Sequence, residues 1–196
     1  MPAEVERIDR QLAYKNRWMT VWEDQVLFQN GSEGIYGVVD KPDFSLIVPW
    51  DGLGFYLVEQ FRYPVGGRYW EFPQGSLESS PDIDVLEVAE VELKEETGLS
   101  AESFEVLGRL FEAYGFSNQG FTVFLATDLV QNESNLEGSE IGMVCRRFEL
   151  EEVWDLIERG LMRDAPSIAA LALVSRHLAP KTSHVPTRPS LSIHDN

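Results

Sequence analysis

Cysteine occurs once in these 196 residues, at Cys145, so no intrachain disulfide can form and a reducing compartment, the cytoplasm, is expected. Positive charge is scarce: 16 Lys and Arg stand against 33 Asp and Glu, a net charge of −17 that repels phosphate backbones and anionic lipid. Nucleic acid and membrane are therefore excluded as expected partners. No run approaches the ~20 uninterrupted apolar residues of a bilayer span, and the first 20 residues carry charges throughout instead of a leader's apolar stretch. Histidine is sparse too: of three, only His177 precedes the polar C-terminal stretch, which disfavours an imidazole-based metal centre.

What is present is enough for one compact domain, with 43% hydrophobic residues at a length that can bury a sizeable core. Strand-like text runs from Lys15 to Val48, with Trp18 to Trp22 and Val26 to Phe28 ahead of an Asn30-Gly31 hairpin turn. Further strands are predicted at 34–39, 44–48, 55–61 and 69–72, the last halted by Pro73. A helix is expected from Pro81, capped by Ser80 and stopped at Gly98. Strands return at 104–111, 121–129 and 143–148, with a mobile loop at 131–139. Two closing helices follow from the spacing of Leu150, Val153, Trp154 and Ile157, and of Ile168, Leu171, Ala172 and Leu178. The expected organisation is an arm over 1–14, a domain over 15–179 and a disordered tail over 180–196. The class is α+β, a mixed sheet covered on its faces by helices.

The acidic helix carries the chemistry. At ~100° per residue, Glu92, Glu95 and Glu96 share one face, while Leu86, Ala89 and Leu93 form a separate apolar stripe. Three carboxylates so close repel, and a multivalent cation removes that cost. Oxygen-only donors suit a hard ion, Mg²⁺ or Mn²⁺. A solvated acidic face is the competing reading of the same spacing.

The flanks of this helix resemble a known motif. Trp70-Glu71-Phe72-Pro73-Gln74-Gly75 ahead of it, and Glu92-Leu93-Lys94-Glu95-Glu96-Thr97-Gly98-Leu99 at its end, are similar to the Nudix box. That pattern is a Gly, five residues, a Glu, seven residues, then Arg-Glu-aliphatic-any-Glu-Glu-any-Gly-aliphatic. Gly75 opens it here, two residues further from the closing half than the pattern allows. Asp82, Asp84 and Glu87 therefore compete for the place of the first Glu. Val91 stands where the family has its Arg.

Outside the box, Val58-Glu59-Gln60-Phe61-Arg62-Tyr63-Pro64-Val65, Ala113-Tyr114-Gly115-Phe116-Ser117 and the Arg163 to Leu171 segment resemble the ADP-ribose and ADP-sugar pyrophosphatase branch. The resemblance implies a Nudix fold with N-terminal antiparallel strands, within 15–48, that join a homodimer. It implies hydrolysis of a nucleoside diphosphate sugar to a nucleoside monophosphate and a sugar phosphate, with Mg²⁺ or Mn²⁺ as cofactor. Metal ligands would be Glu92, Glu95, Glu96 and the carbonyl of Gln74. Glu95 and Glu140 would serve catalysis, with Glu140 or Glu137 as the loop acid that takes a proton. Substrate would meet Arg62, Gly75, Tyr114, Gly115 and Phe116. For Arg62 a salt bridge to Glu59 or Glu71 is the structural alternative. Tyr114 in place of the branch's proline keeps dinucleoside polyphosphate hydrolysis open, and altered boxes also occur in nucleotide-sensing proteins without enzymatic activity.

Overall fold

The computed structural model describes residues 4–76, 84–132 and 142–179. Ten strands, in three sheets, three α-helices and one short 3-10 helix, Tyr63–Val65, are seen there. β1 (Val5–Lys15), β2 (Thr20–Phe28) and β3 (Glu33–Asp40) form an antiparallel sheet in sequence order. The hairpin expected at Asn30-Gly31 joins the last two: Phe28 N–H donates to the Ser32 carbonyl at 2.9 Å, and Gly31 takes φ 81°, a value that favours glycine. Residues 5–14, expected only as an arm, are paired strand within the eleven residues of β1. All eleven are exposed, so no one-sided apolar alternation marks them.

A mixed sheet in the order β7-β4-β9-β8 forms the centre, from β7 (Gln74–Gly75), β4 (Phe44–Pro49), β9 (Gly120–Gln131) and β8 (Leu99–Phe111). β4 and β9 run parallel and are apolar on both faces, as a strand covered from two sides must be. Leu46 and Val48 with Phe121, Val123 and Leu125 point to one side, where α2 (Leu150–Glu158) and α3 (Ala165–Leu178) cover them. Ile47, Phe124 and Ala126 point to the other, against Ala89 and Leu93 of α1 (Val85–Thr97). A third sheet, β10-β5-β6, pairs β5 (Gly54–Arg62) with β10 (Val144–Glu149) and β6 (Gly67–Glu71). This is the α+β, two-faced arrangement expected.

Three details depart from expectation. α1 begins at Val85, not Pro81; Asp84 caps it, its carboxylate accepting from Leu86 N–H at 3.0 Å, and a negative cap also suits the helix dipole. Ser80 and Pro81 lie outside the described residues, as do residues 133–139 of the expected loop and the tail from Pro180. The buried stripe of α1 is Val88, Ala89 and Leu93, with Leu86 turned outward at 37% exposure. In α2, Leu156 is buried and Trp154 exposed; in α3, Leu171 is buried as expected, while Ala170 and Val174 stand in the core in place of Ala172 and Leu178. Gly98 ends α1 as expected, at φ 70° with its N–H on the Lys94 carbonyl. Among the described residues no helix is long and apolar enough to cross a membrane.

Candidate functional site

α1 packs its acidic face against the short strand β7. Glu92 and Glu96, one turn apart, are 8% and 5% exposed, and Glu95 between them is half-buried. The Gln74 N–H donates to Glu96 Oε2 at 3.0 Å. The Glu92 carboxylate fills the space beside Gly75 that any side chain would need, so a Cβ there collides with it. Glycine is thus required by close approach. Strand pairing of Ser45 with Gly75 and Leu46 with Gln74 fixes β7 on the sheet, and with it this junction.

Beside the junction lies a second charged group. Arg62, at the end of β5, forks onto Glu71 of β6: Nε donates to Oε2 at 3.0 Å and Nη2 pairs with Oε1. Gln60 Nε2 donates to the same Oε1 at 2.8 Å. Of the two surface partners considered for Arg62, Glu71 is the one found, and it is only 1% exposed; Glu59 pairs with Arg68. Burial pushes the Glu71 carboxyl up against the pull of Arg62. Burial alone would lower Arg62, but Glu71, Glu96 and Asp164 together hold it above its usual range. Glu96 is therefore electrostatically coupled to Arg62. It also helps burial push the Cys145 thiol up to about 11, which disfavours the thiolate at neutral pH.

The opposite wall comes from the start of α3. Asp164 caps that helix, accepting from Ser167 N–H at 2.9 Å, and also accepts from Gln74 Nε2 at 3.2 Å. Ser167 Oγ in turn accepts from Phe72 N–H at 2.9 Å. Residues 72–74, on the approach to α1, are therefore pinned to α3 from one side and to Glu96 from the other.

Part of this set lines a cavity of about 680 Å³, a size that suits a nucleotide-sized ligand; Glu92 and Glu96 are not on its wall but contact Gly75 and Gln74, which are. Arg62, Glu71, Gln74, Gly75 and Asp164 form one part of its wall, and Lys41, Phe44, Glu112 and Gln119 another. Of the residues singled out from sequence, Arg62, Gln74, Gly75, Glu92 and Glu96 are brought together. Tyr114 and Phe116 are 85% and 60% exposed and, with Gly115, do not line the cavity. Glu137 and Glu140 lie outside the described residues. Of the candidates for the first box Glu, Asp84 caps α1 and Glu87 is exposed; Asp82 is outside the described residues. Sequence reasoning does not find Asp164 or Gln119, and it finds Glu71 only as a possible salt-bridge partner of Arg62. Glu71 carried a usable signal, a lone acid between Trp70 and Phe72 in a strand.

Among the described residues no three acidic, histidine or cysteine side chains form a closed metal cluster. The donor set still fits a hard divalent cation. Two nearly buried carboxylates on one helix face meet a backbone strand over a glycine whose missing side chain leaves room for the Glu92 carboxylate.

Residues 41–171 match the NUDIX domain model, and residues 5–39 match the nucleoside diphosphate sugar hydrolase N-terminal domain. The chain is 30% identical to an ADP-ribose pyrophosphatase of Mycobacterium tuberculosis over 173 residues, covering 87% of this chain and 83% of that one. It is 28% identical to the ADP compounds hydrolase NudE of Escherichia coli, over 84% of this chain and 88% of that one. A crystal structure of an ADP compounds hydrolase superposes with a TM-score of 0.80 at 24% identity, over 90% of this chain and 95% of that one, and so shares the fold.

Proposed function

The chain belongs to the Nudix family, and from that premise we propose that it hydrolyses the pyrophosphate of a nucleoside diphosphate sugar, ADP-ribose or a related NDP-sugar, releasing a nucleoside monophosphate and a sugar phosphate. One observation carries the reading: the buried acids Glu92 and Glu96 meet Gln74 and Gly75 at the wall of a 680 Å³ cavity that also holds a fixed arginine, Arg62.

Cleavage requires water to attack one phosphorus while charge builds on the bridging and terminal oxygens. Arg62 is held by a two-point pair with Glu71, which Gln60 fixes in turn, so it can bind a phosphate oxygen without first being ordered. Glu92, Glu95, Glu96 and the Gln74 carbonyl would hold Mg²⁺ or Mn²⁺, which when bound neutralises charge on the phosphate oxygens. A carboxylate must accept the proton of the attacking water, and Glu140 is proposed for that role, with Glu95 serving catalysis as well as the metal. Asp164 keeps the Gln74 side chain in place at the cavity wall.

A homodimer is part of this proposal. The N-terminal sheet leaves Ile8 at 54%, Leu12 at 56% and Ile35 at 67% exposure, and such apolar residues on one small sheet suit a second copy of the chain. Trp18, 45% exposed, is expected to face that partner. Sedimentation should give twice 22.2 kDa; a stable monomer at micromolar concentration would contradict it.

Dinucleoside polyphosphate hydrolysis rested on Tyr114, which stands outside the cavity wall, so no structural observation favours it. Turnover of ADP-ribose, other NDP-sugars and diadenosine polyphosphates at equal concentration separates the two. NDP-sugars should be cut with the higher kcat/KM, and a preference for diadenosine polyphosphates would overturn the assignment.

A further inference from the structure

Arg163 lies between α2 and α3 and lines the cavity. It is exposed, yet its guanidinium is held by three contacts. Nε donates to the Gly160 carbonyl at 2.8 Å. The group also lies where a side chain at residue 160 would begin, since a Cβ there would meet Nη2 at 2.8 Å. Its Cζ stands over the ring of Tyr69, another wall residue, 5.5 Å from the centroid. Tyr69 is seated in turn: the hydroxyl end of its ring occupies the place where a side chain at residue 67 would begin. The two segments are tied through the backbone, Trp70 N–H donating to the Leu161 carbonyl at 2.9 Å.

None of these contacts is with an acid. The described wall carries three cations, Lys41, Arg62 and Arg163, and Arg62 is paired with Glu71. Among the described residues Lys41 and Arg163 enter no salt bridge, and of the two only Arg163 has an oriented head group. In a chain with 33 acids and 16 basic side chains, an arginine fixed in place without a carboxylate leaves its charge for a ligand. Nε is spent on Gly160, and the Nη1 and Nη2 groups can only donate. A planar, charged pair of donors matches the paired oxygens of a phosphate.

Position agrees. The next residue, Asp164, accepts from Gln74 Nε2 at 3.2 Å, so Arg163 adjoins the group that holds Gln74, whose N–H meets Glu96. Tyr69 and Glu71 are two residues apart on β6, hence on one face of the strand and about 7 Å from each other. Arg163 stands over the first and Arg62 is paired with the second. Two fixed arginines thus flank one stretch of the cavity wall, an arrangement that suits a group carrying two phosphates. In ADP-ribose the diphosphate is the only anionic group.

We infer that Arg163 is a second diphosphate-binding residue, its Nη1 and Nη2 groups donating to oxygens of one phosphate while Arg62 meets the other. This rests on the hydrolase reading above. A residue that binds the diphosphate serves every NDP-sugar alike, whereas one that reads a guanine edge, whose paired acceptors also suit a guanidinium, serves guanosine substrates alone. Because Arg163 is exposed, salt screens its charge, and its contribution falls as ionic strength rises.

The test compares wild type, Arg163→Met and Arg163→Lys on ADP-ribose, UDP-glucose and GDP-mannose, at low and at high salt. The readout is kcat/KM, or the inhibition constant for any of the three that wild type binds without cutting. Arg163→Met should lose about tenfold or more, by the same factor on each, because a charge-assisted hydrogen bond to a shared group is removed. The loss should shrink at high salt. Arg163→Lys keeps the charge without the fork and should lose less. Thermal unfolding of both variants should match wild type, since the side chain is exposed. Undiminished kcat/KM in Arg163→Met would overturn the inference. So would a loss confined to the guanosine substrate, a loss that salt leaves unchanged, or an Arg163→Lys that loses as much as Arg163→Met. If wild type cuts no NDP-sugar at all, the hydrolase reading falls first; if it cuts them and Arg163→Met does so equally well, only the role of Arg163 falls.

Discussion

The carboxylate of Glu92 occupies the place where a side chain at residue 75 would begin. In Gly75→Ala the new methyl meets the flexible end of a glutamate, not backbone, so Glu92 can swing aside and the fold should survive at a cost of about 1–2 kcal/mol. Displacing Glu92 removes a proposed metal ligand. Activity should fall at least a hundredfold while thermal unfolding stays cooperative. A Gly75→Ala variant with near wild-type turnover would show that the approach of Glu92 to β7 does not serve catalysis.

Arg62 and Glu71 form a bidentate pair with its acidic member almost fully buried. Arg62→Ala strands that carboxylate, with only Gln60 left to it, and should cost about 2–4 kcal/mol in urea unfolding, less than a wholly buried pair because Arg62 is partly solvated. Glu71→Gln keeps a hydrogen-bond acceptor and should cost less. It should nevertheless raise KM, since Arg62 is then less firmly placed. Equal stability of wild type and Arg62→Ala would contradict this picture of the pair.

Asp51 accepts from the N–H groups of Leu53 and Gly54 and from Arg147, and the Arg147 hydrogen bond leads in lowering its pKa from 3.8 to about 2. A carboxyl depressed on folding stabilises the protein fully above the unfolded pKa, and that contribution is lost as pH falls from about 4 towards 2. Asp51→Asn should therefore be less stable than wild type by about 1 kcal/mol at pH 6. The gap should narrow below pH 4. A gap that is constant down to pH 2 would remove the pH-linked role of this pair.

Val91 stands one turn before Glu95 and is half-buried, in the place of the family's arginine. Val91→Arg puts a guanidinium at i,i+4 from Glu95, where a bidentate pair can form. The buried stripe of Val88, Ala89 and Leu93 does not include it, so the fold should hold. At subsaturating metal, kcat should be unchanged or higher. A folded variant that loses a hundredfold would mean that position 91 serves the acidic cluster in another way.

Features set by local chemistry were legible before the fold was known. The Asn30-Gly31 hairpin, the Gly98 stop and the acidic face of α1 depend on turn geometry and helical spacing alone. Features set by tertiary partners were not. β1 is exposed along its whole length and owes its form to pairing with β2, where Arg10 forks onto Asp24 at 2.6 Å. α1 was expected four residues too early because Ser80 and Pro81 are good start signals, yet Asp84 makes the cap. Glu71, Asp164 and Gln119 become site candidates only once β5, β6, the start of α3 and the Pro42 turn converge on one cavity. Sequence spacing cannot report such convergence.

The most direct measurement follows ADP-ribose with the purified protein by chromatography, with Mg²⁺, with excess EDTA, and with Glu96→Gln in place of wild type. Wild type with Mg²⁺ should yield AMP and ribose 5-phosphate in equal amounts. EDTA should stop the reaction, and Glu96→Gln should lose most activity while keeping its fold, since it removes charge from a site where acids repel. Undiminished hydrolysis in EDTA, or a folded Glu96→Gln with wild-type rates, would contradict a metal-dependent site built on Glu92, Glu95 and Glu96.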